Sequence, residues 1–175
     1  GERRWWSMTA KPLIDGRGKI TGWRGVGSDV TQQRHADNEM HRLANVDSLT
    51  GLANRHQFRK QLLQLAQVGD TLRPACALFY LDLDNFKYIN DSLGHGGGDR
   101  VLQMVATRLS QRVRREDLLA RLGGDEFALI SYNPDPEPIA QRLLEAFHAP
   151  FLVDGVNLQV SSSIGIALSP TYGGD

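Results

Sequence analysis

One cysteine in 175 residues, Cys76, leaves no internal disulfide to form, and its place inside an apolar run makes it a packing residue rather than a reactive thiol. That use of cysteine fits a reducing, cytoplasmic setting. An excess of one charge is also missing, since Lys plus Arg and Asp plus Glu each number 20. Without a basic field the chain has no general attraction for nucleic acid, and any phosphate recognition must be local. Long hydrophobic runs are absent too. The longest strongly apolar stretch, residues 75–81, falls far short of the roughly 20 residues that span a bilayer, and no signal-peptide pattern opens the chain. The fragment is expected to be soluble and cytoplasmic, with no membrane contact of its own, which leaves room for a parent protein anchored elsewhere. Internal repeats and low-complexity tracts do not occur. What remains is a chain long enough for one full domain and an appendage, at about 100–200 residues per domain.

What the chain does carry begins at Gly123-Gly124-Asp125-Glu126-Phe127, set between the apolar runs Leu118-Leu119-Ala120-Arg121-Leu122 and Phe127-Ala128-Leu129-Ile130. This pattern predicts a hairpin whose turn ends in paired acids. Gly123 and Gly124 permit positive φ and let a large ligand approach the backbone, while Asp125 and Glu126 place carboxylates where a cation or a proton can be handled. The string points to chemistry on an anionic substrate.

Around it the chain divides into three parts. Residues 3–14 and 20–27 read as strands joined by Asp15-Gly16-Arg17-Gly18-Lys19, a loop whose glycines and aspartate suit a hairpin. An isolated hairpin is marginal in water, and Trp5, Trp6 and Trp23 supply more apolar surface than two strands can cover, so this piece is expected to belong to a larger sheet or to pack on a partner. Ser28-Asp29-Val30-Thr31 leads into a helix over residues 32–46 with a narrow stripe of Ala36, Met40 and Leu43. A solvated linker helix and a coiled-coil relay between dimer partners are both compatible with two turns of stripe.

From residue 47 onward the pattern gives a buried strand at 75–83 and a helix at 99–113 with Val101, Leu102, Val105 and Leu109 on one face. The hairpin around residue 124 follows, then an amphipathic helix at 139–147, a turn at Val153-Asp154-Gly155-Val156 and a strand over 158–168. Strand, helix, hairpin, helix and strand predict an α/β sandwich, with helices packed on a central mixed sheet.

Asp82-Leu83-Asp84-Asn85-Phe86-Lys87 ends the first buried strand, and period-two alternation puts Asp82 and Asp84 on one face with Leu83 on the other. An apolar strand ending in acids is like the metal-holding strand of many nucleotide-polymerising sites, because Mg²⁺ takes carboxylate oxygens together with substrate phosphates. The alternative is a surface loop that opens with two acids. If Asp125 and Glu126 approach Asp82, unit charges at ~4 Å repel by roughly 4 kcal/mol at an effective dielectric near 20, so a cation or a raised pKa is needed. Between strand and hairpin lies Asn90-Asp91-Ser92-Leu93-Gly94-His95-Gly96-Gly97-Gly98-Asp99. Asn90 and Asp99 offer complementary hydrogen bonds to a guanine edge, with helix capping as the plain alternative for Asp99. The glycine cluster is not a Walker loop, since the spacing and the terminal Lys-Ser/Thr are missing.

Five ordered blocks over residues 47–175 resemble the GGDEF family, the diguanylate cyclases. They are Asp47-Ser48-Leu49-Thr50-Gly51-Leu52-Ala53-Asn54-Arg55, the run from Asp82 to Lys87 with Asn90-Asp91, Gly94-His95 with Gly98-Asp99, Gly123 to Phe127, and Ser163-Ile164-Gly165-Ile166-Ala167. The resemblance implies a nucleotidyl-cyclase, palm-like fold and condensation of two GTP into cyclic di-GMP with release of pyrophosphate, each half of a homodimer contributing one GTP. It implies Mg²⁺ (or Mn²⁺) on Asp82, the Leu83 carbonyl and Asp125, with Asp125 favoured as the base and Glu126 as its backup. It places Asn90, His95 and Asp99 at the nucleotide, with Asn90 and Asp99 at guanine. The backbone and side chains around Phe86 and Lys87 fall near phosphates, beside Gly123 and Gly124. Arg114-Arg115-Glu116-Asp117 resembles the family's inhibitory product site, in which Arg114 meets phosphate or guanine and Asp117 accepts from guanine; an ordinary charged helix end is the alternative.

Residues 1–31 are similar to the C-terminal end of a PAS sensor domain, residues 32–46 to a signalling helix, and residues 47–175 to a GGDEF domain expected to be C-terminally incomplete. The segment from Pro150 to Leu168 is also similar to GGDEF domains that precede an EAL phosphodiesterase. A noncatalytic module that binds GTP or cyclic di-GMP and regulates such a partner is the competing reading.

Overall fold

The computed structural model describes residues 3–67, 76–133 and 135–169, and divides the chain into units 1–43 and 44–175. In the first unit, β1 (Trp6–Ile14) pairs antiparallel with β2 (Ile20–Asp29), from Trp6 opposite Asp29 to Ile14 opposite Ile20. The connection is the predicted one: the Asp15 carboxylate accepts from the N–H groups of Arg17 and Lys19, both at 2.9 Å, and Gly18 takes φ 79°. Trp6, Met8, Trp23 and Val26 are all exposed, so two strands do leave their apolar surface uncovered. The Asp29 carboxylate then accepts from the N–H of Thr31, the first residue of α1 (Thr31–Asn45). Met40 and Leu43 of the predicted stripe lie exposed on that helix.

The second unit is built on a four-stranded sheet in the order β4 (Leu118–Gly123), β5 (Glu126–Ser131), β3 (Ala77–Leu83), β8 (Ser162–Leu168). The α/β architecture is as predicted, but every ladder in this sheet is antiparallel; a parallel pairing occurs at the isolated bridge Ala53 to Ala120. Along β3, Phe79, Leu81 and Leu83 turn into the core while Tyr80 and Asp82 face out, the period-two pattern that a sheet covered on one side requires. The core continues through Phe127 and Leu129 of β5, Val101, Leu102, Val105 and Leu109 of α3 (Phe86–Ser110), and Ile139 and Leu143 of α4 (Glu137–Glu145). Cys76 is buried and free, as its surroundings implied.

Three elements differ from the pattern reading. A helix, α2 (Arg55–Gln67), occupies a stretch that reading left unassigned, although Phe58, Leu62 and Leu65 give it a half-buried stripe at helical spacing. The predicted 158–168 strand is divided, since Leu158 closes a small hairpin of β6 (Phe151–Val153) and β7 (Val156–Leu158) and β8 begins at Ser162. The third difference is the start of α3. The pattern began a helix at residue 99 and gave 90–98 no element, whereas helical structure begins at Phe86 and is broken once, at Gly94 with φ 71° and ψ 169°. Glycine is a weak helix former, but packing overrides propensity here. A Cβ on Gly97 would lie 2.4 Å from the Leu93 side chain, and one on Gly98 would lie 2.0 Å from Asn90 Oδ1. The glycines are the contact surface on which the two halves of the helix meet.

Candidate active site

Antiparallel pairing of β3 with β5 sets Asp82 directly opposite Glu126, and the Leu83 N–H reaches the Asp125 carbonyl at 3.4 Å. The hairpin acids therefore do converge on the acidic end of β3. Asp82, Leu83, Asp84, Asn85, Phe86, Lys87, Asp125 and Ser163 line one open cleft of about 370 Å³. The hairpin bends sharply to get there. Pairing slips between Arg121 and Gly123, Gly123 takes φ 137° and Gly124 φ 53°, a combination that only glycines adopt without strain.

Two arginines outside the turn hold it. Arg121 donates from Nε and one terminal nitrogen to the Gly124 carbonyl at 3.0 and 2.8 Å, and from the other to both oxygens of Asp47 at 3.1 Å. Asp47 in turn accepts from the Thr50 N–H at 2.9 Å and hydroxyl at 2.6 Å. Desolvation opposes ionisation of Asp47, but the bonds from Thr50 and then Arg121 outweigh it and hold the carboxyl below its ordinary value. Arg55, at the start of α2, donates to the Leu122 carbonyl at 2.7 Å and to Glu126 at 3.1 Å. Pattern reading assigned Arg55 and Arg121 no role. Arg55 stands in the Asp47-to-Arg55 block and Arg121 two residues before Gly123, but neither position alone tells which groups they meet.

The four carboxylates at this end of the sheet fall into two pairs. Glu126 is taken by Arg55 and by the Tyr80 phenol, whose hydrogen bond to Glu126 pushes its own pKa up to about 12. Asp84 accepts from the hydroxyls of Ser161 and Ser163, both at 2.7 Å, which hold its carboxyl below the ordinary value. Asp82 and Asp125 have no cation or side-chain donor among the described residues. Desolvation, followed by the charges of Asp125, Glu126 and Asp84, pushes the Asp82 carboxyl upward. Two carboxylates and a backbone carbonyl around one cleft form a donor set for a hard divalent ion. No cluster of three or more His, Cys, Asp or Glu side chains suited to a metal exists among the described residues, so an ion here would complete its shell from backbone and phosphate oxygens.

Asn90 sits over Gly98, adjacent to Asp99, so the break at Gly94 brings the two proposed guanine readers to neighbouring positions. Asp99 lies inside α3, which removes the capping alternative, and it is exposed, as is His95 one turn before it. Phe86 departs from expectation. Its ring is buried in the core against Gly98, leaving only its backbone for the cleft, whereas Lys87 is exposed. Arg114 to Asp117 is a closed turn after α3 and not a helix end: Asp117 accepts from the Arg114 N–H at 2.9 Å, and its own N–H donates to the Arg114 carbonyl at 3.2 Å.

A central antiparallel sheet with helices packed on it and an acid-lined cleft at the end of β3 defines a protein of the nucleotide-cyclase palm class. Comparison with known proteins narrows this. The sequence profile of the family described as "Diguanylate cyclase, GGDEF domain" matches residues 44–175, and the chain belongs to that family. Cyclic di-GMP phosphodiesterase PdeR of Escherichia coli is 38% identical over 152 residues, covering 85% of this chain and 23% of PdeR. Diguanylate cyclase TpbB of Pseudomonas aeruginosa is 41% identical over 134 residues, covering 74% of this chain and 31% of TpbB. The solved GGDEF domain of TpbB superposes with a TM-score of 0.66 at 40% identity, over 71% of this chain and 76% of that one. DgcB of Caulobacter crescentus, solved as coiled coil and GGDEF domain in complex with c-di-GMP, gives a TM-score of 0.72 at 28% identity, over 81% and 78% of the two chains. The chain spans less than a third of the length of either curated relative. No helix among the described residues is long and apolar enough to cross a membrane.

Proposed function

We propose that residues 47–175 act as a diguanylate cyclase domain, joining two GTP into cyclic di-GMP and releasing pyrophosphate. The observation that carries this reading is the division of the acids at the end of β3: Asp84 and Glu126 are satisfied by the protein's own donors, while Asp82 and Asp125 share a cleft with neither a cationic side chain nor a side-chain donor among the described residues. Mg²⁺ or Mn²⁺ held by Asp82, Asp125 and the Leu83 carbonyl would neutralise phosphate charge and make a 3′-hydroxyl a stronger nucleophile toward the α-phosphate. Asn90 and Asp99 select guanine, with His95 beside them. Lys87, the backbone of Phe86 and the open backbone at Gly123 and Gly124 take the phosphates. Asp125 accepts the proton of the attacking hydroxyl, a role for which Glu126, tied to Arg55, is less suited.

Each copy holds one GTP, so turnover requires a homodimer that brings two clefts together. Residues 1–31, as the end of a PAS sensor, and the helix over 32–46 transmit the signal that controls this pairing, and Arg114 with Asp117 binds product in feedback. The substrate places the domain in the cytoplasm. A second reading is favoured by the similarity to a phosphodiesterase: a GGDEF module that binds GTP or cyclic di-GMP and regulates an attached EAL domain without synthesis. Incubation with GTP and Mg²⁺, followed by chromatography of the products, separates the two. Cyclic di-GMP and pyrophosphate are expected; nucleotide binding with no product would replace the cyclase reading by the regulatory one.

A further inference from the structure

β3 ends at Leu83, which pairs with Ser162 of β8. One residue further on, Asp84 makes three more bonds to the start of that same strand: its N–H donates to the Ser161 carbonyl at 3.0 Å, and its two oxygens accept from the hydroxyls of Ser161 and Ser163 at 2.7 Å each. Bonds of this length to a carboxylate belong to the strong, charge-assisted class. The Asp84 N–H and the Leu83 carbonyl belong to one peptide group, which is planar and trans. Fixing the N–H on β8 therefore aims the carbonyl the opposite way, toward the β5 side of β3, where the hairpin carries Asp125. The turn has little stability of its own at this point. Asn85 takes φ 57° and ψ 27° with no side-chain cap, and the next anchor is Phe86, whose ring is buried.

We propose that Asp84, Ser161 and Ser163 are positioning residues: they clamp the β3–α3 turn to β8 so that the Leu83 carbonyl faces the ion of a magnesium nucleotide, and Asp84 is not itself a metal ligand. This rests on the nucleotide reading above and deepens it, because it divides the two acids of Asp82-Leu83-Asp84 between unlike tasks. Asp82 meets the ion, and Asp84 holds the carbonyl between them. Outer partners that orient ligands typically contribute about 10- to 100-fold in metal affinity.

The test is GTP binding by calorimetry, titrated with Mg²⁺ and repeated in EDTA, on wild type, Asp84→Asn, and the double variant Ser161→Ala with Ser163→Ala. In both variants the Mg²⁺ concentration for half-maximal enhancement of GTP binding should rise about tenfold or more, while binding in EDTA stays at wild type and the melting temperature falls only by what the lost hydrogen bonds account for. Ser163→Thr, which keeps a hydroxyl, should retain the wild-type requirement. If Asp84 were a ligand, freeing it from its serines would leave Mg²⁺ affinity unchanged or tighter while Asp84→Asn alone lost it, and the proposal would be overturned. A parallel loss in EDTA would reduce the clamp to general fold support and overturn it equally. A wild-type protein that binds GTP with no enhancement by Mg²⁺ overturns instead the magnesium–nucleotide reading on which the proposal stands.

Discussion

The cleft at the end of β3 and the brace behind the hairpin lie within a few residues of each other and treat charge in opposite ways. In the brace each ion has its partner: Asp47 with Thr50 and Arg121, Arg121 with the Gly124 carbonyl, Glu126 with Arg55. In the cleft Asp82 meets only like charge, from Asp125, Glu126 and Asp84, and neither it nor Asp125 has a cation or side-chain donor among the described residues. The brace is chemistry that the fold completes by itself, and its function is shape. The cleft is chemistry left incomplete, and its function is to take something from outside. Perturbing one side chain in each region should have opposite effects on stability, and this is the sharpest way to test the contrast.

The largest effect is expected at Asp82. Asp82→Asn removes a proposed metal ligand, and cyclic di-GMP formation should fall by on the order of a thousandfold. Stability should move the other way. Because desolvation and neighbouring carboxylates raise the Asp82 pKa in the fold, its contribution is full below the unfolded value and is lost as pH rises through the folded one. At neutral pH the ionised group therefore costs stability. The variant should melt higher than wild type without Mg²⁺, and Mg²⁺ should raise the wild-type melting temperature only. A lower melting temperature for the variant would show that the cleft is not electrostatically strained.

Asp47→Asn comes next and has the reverse signature. Its carboxyl is held below the ordinary value, so its stabilisation is present above the unfolded value and is lost as pH falls through the folded one. The ion pair with Arg121 is mostly shielded, with side-chain exposures of 13% for Arg121 and 20% for Asp47. Breaking it should cost about 1.5–3 kcal/mol at neutral pH, the range for hydrogen bonds to charged groups. Denaturant titrations over a pH series should show the gap between wild type and variant closing under acid conditions. A gap independent of pH would mean that the brace works through packing alone.

How much of this could be read beforehand depends on the range over which each feature is determined. The strand that ends at Leu83, the alternation that sets Leu83 inward and Asp82 outward, and the face of Val101, Leu102, Val105 and Leu109 are local patterns, and they appear where the pattern put them. The meeting of Asp82 with the hairpin acids needed the β3–β5 register, which no local spacing specifies; the ordered family blocks supplied the expectation. Helical structure across 90–98 was not assigned from the pattern: glycine propensity is a local quantity and disfavours it, whereas the contacts of Gly97 with Leu93 and Gly98 with Asn90 arise from tertiary packing. Phe86 was placed near phosphate by the family resemblance, which does not say that its ring turns inward. The partition of four acids into satisfied and unsatisfied pairs depends on Arg55, Ser161 and Ser163, which approach from other elements.

The smallest expected effect, and the most selective, lies outside both regions. In the turn between α3 and β4, Asp117 is already committed to the Arg114 N–H, while the Arg114 side chain is exposed. The two residues of the proposed product site are therefore not equivalent targets. Substituting Asp117 removes the acceptor that closes the turn, so any loss of inhibition would be confounded with a shift of β4 and, through it, of the hairpin. Arg114→Ala leaves the backbone bond intact and removes only the guanidinium that would meet phosphate or guanine. Initial rates at low product should match wild type, while the cyclic di-GMP concentration for half-inhibition should rise by about tenfold, the equivalent of roughly 1.4 kcal/mol in product affinity. Progress curves that bend at the same product concentration in both proteins would remove Arg114 from the inhibitory site without touching the assignment of the cleft.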